Sequence, residues 1–217
     1  MKYYGLSEID KIISTKYLNF DDGVFIEVGG YDGLGQSNTA HFEFDRNWTG
    51  LLVEPTDKFN LMVRNRPNSI CENYALVSND YENDYIDLYN FGPMSVVDGV
   101  YDYEDIFDNT IPCSKPLDKS PNDYKERVEA ITLESLLEKH NFSNIDFMSL
   151  DTEGSELAVL KGMNLSKYSP SYILIENSSK CFDVKNTNKE GLEFLSKYEY
   201  EIVDYLSWDI LYKKTNK

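Results

Sequence analysis

The chain has 217 residues, 41% of them hydrophobic and 27% charged, which predicts one soluble globular domain and excludes a disordered chain. Lys and Arg number 21 against 38 Asp and Glu, and the resulting net charge of −17, without a basic patch, argues against a nucleic-acid partner. The three cysteines have neither the spacing of a zinc site nor the even number of a disulfide framework. Because the sequence has no signal-peptide pattern and no run of membrane-spanning length, we expect a cytoplasmic protein that is not inserted in a membrane.

The first part of the chain alternates between helix and strand patterns. Residues 1–22 carry apolar side chains at near-helical spacing and predict a helical lead-in. Residues 24–28 are an apolar run of β-forming residues that ends at two glycines, which predicts a buried parallel strand. The pattern then predicts, in chain order, a helix over 37–48, a strand over 50–53, a helix from Thr56 that stops before Pro67, and a strand over 69–78.

The rest of the chain continues this alternation after one irregular stretch. Residues 85–89 alternate like a hairpin partner or an edge strand, and residues 90–123, rich in Asp, Pro, Gly and Tyr, are expected to form a substrate-side loop. The later elements are a brief pairing over 128–131, a helix capped by Thr132, a strand over 145–150, a helix over 153–161, a strand over 172–175, a helix over 189–198 and two final strands, YEIVDYL and DILYK. Together they predict an α/β fold in one domain over 1–217, with a mostly parallel sheet, helices on both faces and a C-terminal antiparallel hairpin.

Carboxylates cluster at the predicted strand ends. Glu54, Asp151 and Glu176 each end a strand, and Glu27 lies two residues before the glycine turn of the first strand. Ligands of open α/β sheets bind beyond the carboxyl ends of the strands, so these side chains are expected to lie at one ligand site.

The loop after the first strand has the form E-x-G-x-x-x-G, with Glu27, Gly29 and Gly33. Glycine lets the backbone turn tightly and approach a ligand, although the spacing is not that of a G-x-G-x-x-G dinucleotide site. Glu54, at the end of the next strand, can accept hydrogen bonds from both hydroxyls of a ribose. The loop therefore indicates an adenosine-bearing ligand and leaves S-adenosylmethionine (SAM) and NAD both open; the alternative is a plain βα turn with a surface glutamate.

The segment IDFMSLDTEGSE, residues 145–156, carries the second group of candidates. An aspartate at the end of an apolar strand, here Asp151, is expected to meet a ligand, a metal or a turn amide. Glu153 and Glu156 are either functional or helix-start residues that favour the helix dipole. The two histidines, His41 and His140, lie on or at the end of predicted helices, where packing or solvent exposure explains them.

These motifs, in this order, resemble the FkbM-type methyltransferases, a family of SAM-dependent O-methyltransferases. The first motif of the family matches residues 25–33 and continues to Ser37, and the D-G-x-x-Q-S-N-T variant of it matches residues 32–39. Its apolar run into E-P matches residues 51–55, and its late motif matches residues 145–156 with L-K-G just beyond. The resemblance implies a Rossmann-like class I methyltransferase fold with a seven-stranded sheet. Gly30-Tyr31 departs from the pairs common in the family.

Carried onto this sequence, the resemblance implies SAM as the cofactor and a set of site residues. Those at the cofactor are Glu27, Gly29, Gly30, Tyr31, Asp32, Gly33, Gln36, Ser37, Asn38, Glu54, Pro55, Asn73, Tyr74, Ala75, Leu76 and Asp151. Asp151 is the expected catalytic residue, facing the reacting methyl group. On the acceptor side we expect Met94, Ser95, Glu153 and Glu176.

Transfer of a methyl group to a hydroxyl needs alignment of the acceptor and removal of its proton. Asp151 is expected to be the base, or to hold Mg²⁺ or Mn²⁺; the version without a metal is favoured because these carboxylates form no specific ligand motif. The family's range and the acidic composition favour a sugar hydroxyl in a glycan or glycoside, with possible association with glycosyltransferases. The alternatives are a small natural product or a protein as acceptor, an NAD- or nucleotide-sugar-using enzyme, and a non-catalytic nucleotide-binding module.

Overall fold

A computed structural model describes residues 1–101, 121–176 and 187–215. The strands of these residues are β1 (Val24–Val28), β2 (Thr49–Val53), β3 (Ile70–Glu72), β4 (Ala75–Val77), β5 (Tyr85–Tyr89), β6 (Val96–Val97), β7 (Lys125–Thr132), β8 (Phe147–Leu150), β9 (Tyr172–Glu176), β10 (Tyr200–Leu206) and β11 (Asp209–Lys214). The α-helices are α1 (Ile9–Ile12), α2 (Ala40–Arg46), α3 (Phe59–Asn65), α4 (Leu133–Lys139), α5 (Glu156–Lys161) and α6 (Thr187–Ser196). None of the helices in these ranges is long and apolar enough to cross a membrane.

The main sheet has seven strands in the order β10-β11-β9-β8-β1-β2-β3. All neighbouring pairs are parallel except those of β11, which runs antiparallel to both β9 and β10. The predicted mostly parallel sheet with a C-terminal hairpin is therefore confirmed. The strand order reverses between β1 and β8, and such a switch point leaves a crevice at the carboxyl ends of the strands.

Both faces of this sheet are covered by helices. On one face Leu136 of α4, Val159 of α5 and Leu195 of α6 pack on alternate residues of β1 such as Ile26. On the other face, α1, α2 and α3 pack against the strand residues that point the opposite way, such as Phe25 of β1. Successive strand residues point to opposite faces, so a strand apolar at nearly every position is buried on both sides.

A second sheet, in the order β4-β7-β5-β6, was not predicted as a unit. The single strand expected over 69–78 is divided into β3 and β4 at Asn73 and Tyr74. The side-chain amide of Asn73 donates to the Glu54 carbonyl oxygen at 2.7 Å, which draws the chain out of the main sheet at this point. β4 then pairs with β7, which is longer than the pairing expected over 128–131.

Four predicted helices begin later than expected, and in the simplest case α3 begins at Phe59 instead of directly after Thr56. The lead-in is a 3-10 turn (Leu6–Glu8), α1 and a π-helical turn (Ile13–Tyr17), because Ser7 and Glu8 have φ of 55° and 56°. α2 begins at Ala40 instead of residue 37, since the Ser37 hydroxyl donates to Glu27. α5 begins at Glu156 instead of residue 153, because Glu153 and Gly154 have φ of 52° and 102°. The capping of α4 by Thr132 is confirmed: its hydroxyl accepts from the Ser135 amide at 3.2 Å.

Candidate functional site

The carboxyl ends of β1, β2, β8 and β9 open onto a cavity of about 370 Å³, a size usual for small-molecule sites. It lies at the switch point of the sheet, where the sequence analysis placed the ligand. The expected site residues that line it are Glu27, Gly29, Gly30, Tyr31, Gln36, Ser37, Asn38, Glu54, Pro55, Tyr74, Ala75, Leu76, Met94, Ser95, Asp151, Glu153 and Glu176.

Three residues expected at the cofactor, Asp32, Gly33 and Asn73, do not line this cavity. The Asp32 carboxylate accepts from the backbone amides of Leu34 and Gly35 at 2.9 and 2.7 Å and so closes the loop after β1. Gly33 packs against the side chain of Arg66. The Asn73 side chain donates to the backbone carbonyl oxygen of Glu54. All three residues therefore shape the loops behind the cavity wall.

Glu27 lies at the cavity wall, but its carboxylate already has several protein partners. It accepts from the hydroxyls of Ser37 and Thr39 at 2.9 and 2.6 Å and from the Asn38 amide at 2.9 Å. The side chain is buried, and carboxylate hydrogen bonds of this kind are the strong ones. Glu27 therefore fixes the loop 36–39 that forms one wall of the cavity.

Glu54 is held at the end of β2 by three donors. Its Oε2 accepts from the Tyr31 amide at 2.8 Å, and its Oε1 accepts from the Thr56 amide and hydroxyl at 2.9 and 2.6 Å. A carboxylate has about four lone-pair sites, so an acceptor site remains for a ligand in the cavity. This position is compatible with the expected contact to ribose hydroxyls.

Asn38 provides a test of whether these residues fit SAM. Its amide nitrogen donates to the Ser149 hydroxyl at 3.1 Å, while its buried Oδ1 has no hydrogen-bond partner among the described residues. An unsatisfied buried acceptor suits a ligand donor such as the ammonium group of the methionine part of SAM. Together with the carboxylate of Glu54 and the apolar wall at Leu76, it gives a donor set that fits the cofactor.

Asp151, Glu153 and Glu176 meet at one side of the cavity. One carboxylate oxygen from each lies within 4.8 Å of those of the other two. Asp209 joins them, because β11 pairs with β9 in a register that places Asp209 opposite Glu176. We refer to these four residues as the acid cluster.

The pKa values of the acid cluster are raised, mainly by removal of water and then by mutual repulsion. Asp151 is exposed to the cavity but enclosed by protein on its other sides; this desolvation, followed by the charges of Asp209 and Glu156, raises its pKa to about 7. Burial and then Asp151 raise the pKa of Glu153 to about 9 and that of Glu176 to about 11. Burial raises the pKa of Asp209 to about 6. At neutral pH the cluster therefore retains protons.

A comparison with protein families gives a match over most of the chain. The family described as "Methyltransferase FkbM domain" matches residues 27–202, a range that includes every element bordering the cavity from the end of β1 to β9. The chain belongs to the FkbM methyltransferase family. The resemblance found in the sequence motifs is confirmed, and SAM is the general methyl donor of such enzymes.

Other comparisons are less informative about this FkbM-family methyltransferase. A comparison with curated proteins finds no significant match. Among solved structures, it is similar to the crystal structure of a fibrillarin/Nop5p complex, with 13% sequence identity and a TM-score of 0.36. That similarity covers 88% of this chain and 71% of the other.

In this FkbM-family methyltransferase Glu156 closes the turn that carries the late motif. Its Oε1 accepts from the amides of Thr152 and Gly154 at 2.9 and 3.1 Å and from the Thr152 hydroxyl at 3.0 Å. Glu153, two residues beyond Asp151, is buried and lines the cavity. The two glutamates that the sequence left undecided thus have different surroundings, since one holds the turn and the other faces the ligand space.

Sequence reasoning missed several residues at the site, and two of them are charged. Arg66 is fully buried and forms ion pairs with Glu27 at 3.1 Å and Glu43 at 2.7 Å, so it supports the loop after β1 from behind the cavity wall. Asp209 reaches the cavity from the last strand. The only signal for Arg66 was a basic residue directly before Pro67 in a strongly acidic chain, and Asp209 gave none, because its position depends on strand register.

The two histidines lie away from the cavity. His41 is buried with Nδ1 3.1 Å from the Lys2 carbonyl oxygen and from Asp45, and His140 ends α4 with Nε2 2.5 Å from Glu72. Both positions agree with the structural roles expected from the sequence.

The expected substrate-side loop is described in part. Residues 92–97 form a 3-10 turn (Gly92–Met94) and β6, and they line the outer part of the cavity together with Leu88. The Ser95 hydroxyl donates to the Gly92 carbonyl oxygen at 2.6 Å and stabilises this turn. The stretch 102–120 lies outside the described residues, as do Cys113 and Cys181; Cys71 is half-buried and has a free thiol.

Proposed function

We propose that this FkbM-family methyltransferase transfers the methyl group of SAM to a hydroxyl group of a sugar in a glycan or glycoside. The observation that carries the proposal is the placement of Asp151 at the cavity, directly beyond β8. Burial, followed by the charges of neighbouring acids, raises the pKa of its carboxyl to about 7. A general base is most effective when its pKa lies near the working pH. A sugar hydroxyl is a weak nucleophile and needs such a base.

The cofactor would be held along the loop after β1 and the end of β2. Asn38 Oδ1 would accept from the ammonium group, and Glu54 would accept from the ribose hydroxyls. Tyr74 and Leu76, which line the cavity beyond Glu54, would pack against the adenine ring. Held in this way, the cofactor would have its methyl-bearing end toward Asp151.

SAM supplies an electrophilic methyl group on a positively charged sulfur. In-line attack by the acceptor oxygen would form the bond to the methyl carbon as the carbon–sulfur bond breaks, and the pair of electrons of that bond would stay on sulfur. Asp151 takes the hydroxyl proton as the new bond forms. The walls of the cavity align the acceptor for this in-line displacement, which lowers the entropic part of the barrier.

The acceptor side of the cavity suits a neutral polar molecule with an apolar face. Trp208 lines the cavity there and is 43% exposed, so its indole ring offers a flat surface to the C–H face of a sugar ring. The acid cluster supplies hydrogen-bond acceptors for sugar hydroxyls. The net charge of −17 disfavours a phosphorylated or otherwise anionic acceptor.

The proposal is tested by a methyl-transfer screen over a panel of neutral glycosides, read by product mass. We expect a mass gain of one methyl group on an oxygen of at least one glycoside. Asp151→Asn should lose turnover and still bind S-adenosylhomocysteine in calorimetry, while Asp84→Asn, an exposed aspartate outside the site, should behave as the wild type. Methylation of proteins or small aromatic products alone would reject the sugar acceptor, and binding of NAD in place of S-adenosylhomocysteine would reject the cofactor.

A further inference from the structure

The acid cluster brings four carboxyl groups together at one side of the cavity. Carboxylate oxygens of Asp151, Glu153 and Glu176 converge within 4.8 Å, and Asp209 lies opposite Glu176 on the adjoining strand. None of the ion pairs among the described residues includes a member of the acid cluster, so no lysine or arginine of these residues offsets its charge. Buried carboxylates are normally paired with a cation or bind a metal.

Two further atoms at this place lack protein partners. Glu153 is only 5% exposed, and its Oε2 has no hydrogen-bond partner among the described residues. Ser155, which is 7% exposed and lines the same cavity, has an Oγ that is unpaired within the same set. A buried polar atom without a partner costs free energy, and a ligand that accepts its lone pair removes this cost.

We propose that Asp151, Glu153 and Glu176 bind one divalent cation of the Mg²⁺ or Mn²⁺ class at the acceptor side of the cavity, with Asp209 and Ser155 as neighbouring oxygen donors. These cations prefer oxygen ligands, and the site offers only carboxylate and hydroxyl oxygens. The sequence favoured a reaction without a metal because no ligand motif is visible. A continuous ligand motif is not expected in the sequence, because the proposed ligands follow two different strands, β8 and β9.

The role of the cation in the reaction rests on the proposed function. A divalent cation beside the acceptor hydroxyl lowers the pKa of that hydroxyl and fixes its direction toward the methyl group. Each carboxylate has two oxygens, so Asp151 would contact the cation through one and accept the proton through the other; the bound cation would lower the pKa of Asp151 as well as that of the hydroxyl.

The test is a titration of the full chain with Mn²⁺ alone, followed by electron paramagnetic resonance of the free ion. We expect one saturable site from which Mg²⁺ displaces Mn²⁺. Glu153→Gln and Glu176→Gln should each weaken Mn²⁺ binding by at least about tenfold, because even changes beyond the ligands themselves cost that much in metal sites. Glu201→Gln removes the same charge at an exposed position of β10 and should leave binding unchanged.

Circular dichroism of each variant tests whether the variant is folded. This control separates a loss of Mn²⁺ binding from a loss of structure. Absence of saturable Mn²⁺ binding in the wild type, or equal binding in all variants, would overturn the cation site. Binding of an organic ammonium such as spermidine at Glu153 and Glu176, with no binding of Mn²⁺, would overturn it in favour of a cationic acceptor.

The outcome is separable from that of the proposed function. Mn²⁺ binding without methylation of any glycoside supports the cation site and rejects the sugar acceptor. Glycoside methylation by a wild-type chain that binds no Mn²⁺ supports the sugar acceptor and rejects the cation site.

Discussion

Gly29 lies directly against the backbone carbonyl of Asp151. A Cβ atom added at Gly29 would come within 1.8 Å of the Asp151 carbonyl oxygen, and Gly29 also has a φ of +83°, which L side chains rarely adopt. The Asp151 amide in turn donates to the Val28 carbonyl at 3.1 Å. The glycine turn after β1 and the end of the strand that carries the expected base are thus packed backbone to backbone.

Replacement of Gly29 by alanine should therefore disrupt the site and the fold together. The contact is with backbone, which cannot rotate away as a side chain can, so we expect a loss of about 3 kcal/mol or more in the free energy of unfolding. Urea unfolding measures this loss, and calorimetry with S-adenosylhomocysteine should show no binding. Gly191→Ala is the control, because Gly191 lies in α6 with nothing near its added Cβ, and it should be neutral or slightly stabilising. A Gly29→Ala variant as stable as the wild type would contradict the packing described.

Arg66 should be the most sensitive cation among the described residues. It is fully buried between Glu27 and Glu43, and Arg66→Met would leave two buried carboxylates without their partner. Removing one member of a buried ion pair costs about 3–5 kcal/mol. Urea unfolding gives the value, and Arg64→Met, at an exposed position of α3 just before Arg66, should leave stability unchanged. Equal effects of the two substitutions would show that the buried network does not support the loop.

Glu54→Gln tests the expected ribose contact. Glutamine keeps the size of the side chain but replaces one carboxylate oxygen by an NH₂ group, which cannot accept from Tyr31, Thr56 or a ribose hydroxyl. Hydrogen bonds to a charged group contribute about 1.5–3 kcal/mol, so we expect an affinity for S-adenosylhomocysteine about 10- to 100-fold lower. Calorimetry measures it, with Glu129→Gln, an exposed residue of β7, as the matched control. An unchanged affinity would place the ribose elsewhere.

The stability of the cation-free protein should fall as the pH rises. Burial first, and then neighbouring acids, raise the pKa of Glu153 to about 9 from an ordinary value of 4.5. A carboxyl group with a raised pKa contributes stability that is fully present below its unfolded pKa and is lost as the pH rises through its folded pKa. We therefore expect the free energy of unfolding, measured by urea with chelator present, to decrease between about pH 5 and pH 9.

Glu153→Gln cannot ionise, so this variant should show a shallower pH dependence and be more stable than the wild type at the upper end of that range. Glu201→Gln should keep the slope of the wild type. If the free energy of unfolding of Glu153→Gln depended on pH as strongly as that of the wild type, the buried carboxyl of Glu153 would not be the source of this dependence.

The glycine loop, Glu54 and Asp151 could be recognised from the sequence because each depends on local rules. Glycine is required where the chain turns after β1, and a polar residue at the end of an apolar strand must lie at the edge of the sheet. The alternation of strand and helix patterns likewise determined the parallel sheet and its C-terminal hairpin, since these patterns repeat every two or about four residues.

Tertiary structure alone decided the rest. Whether Glu153 begins a helix or faces the cavity depends on a left-handed turn held by Glu156, and Arg66 finds its two acidic partners only when α2, α3 and β1 pack together. Asp209 reaches the acid cluster through the register of β11 on β9. Such contacts join residues far apart in the chain, and their free energy depends on burial that no local pattern encodes. The sequence by itself determined the fold class and the glycine loop at the end of β1, and the packed sheet decided which carboxylates meet.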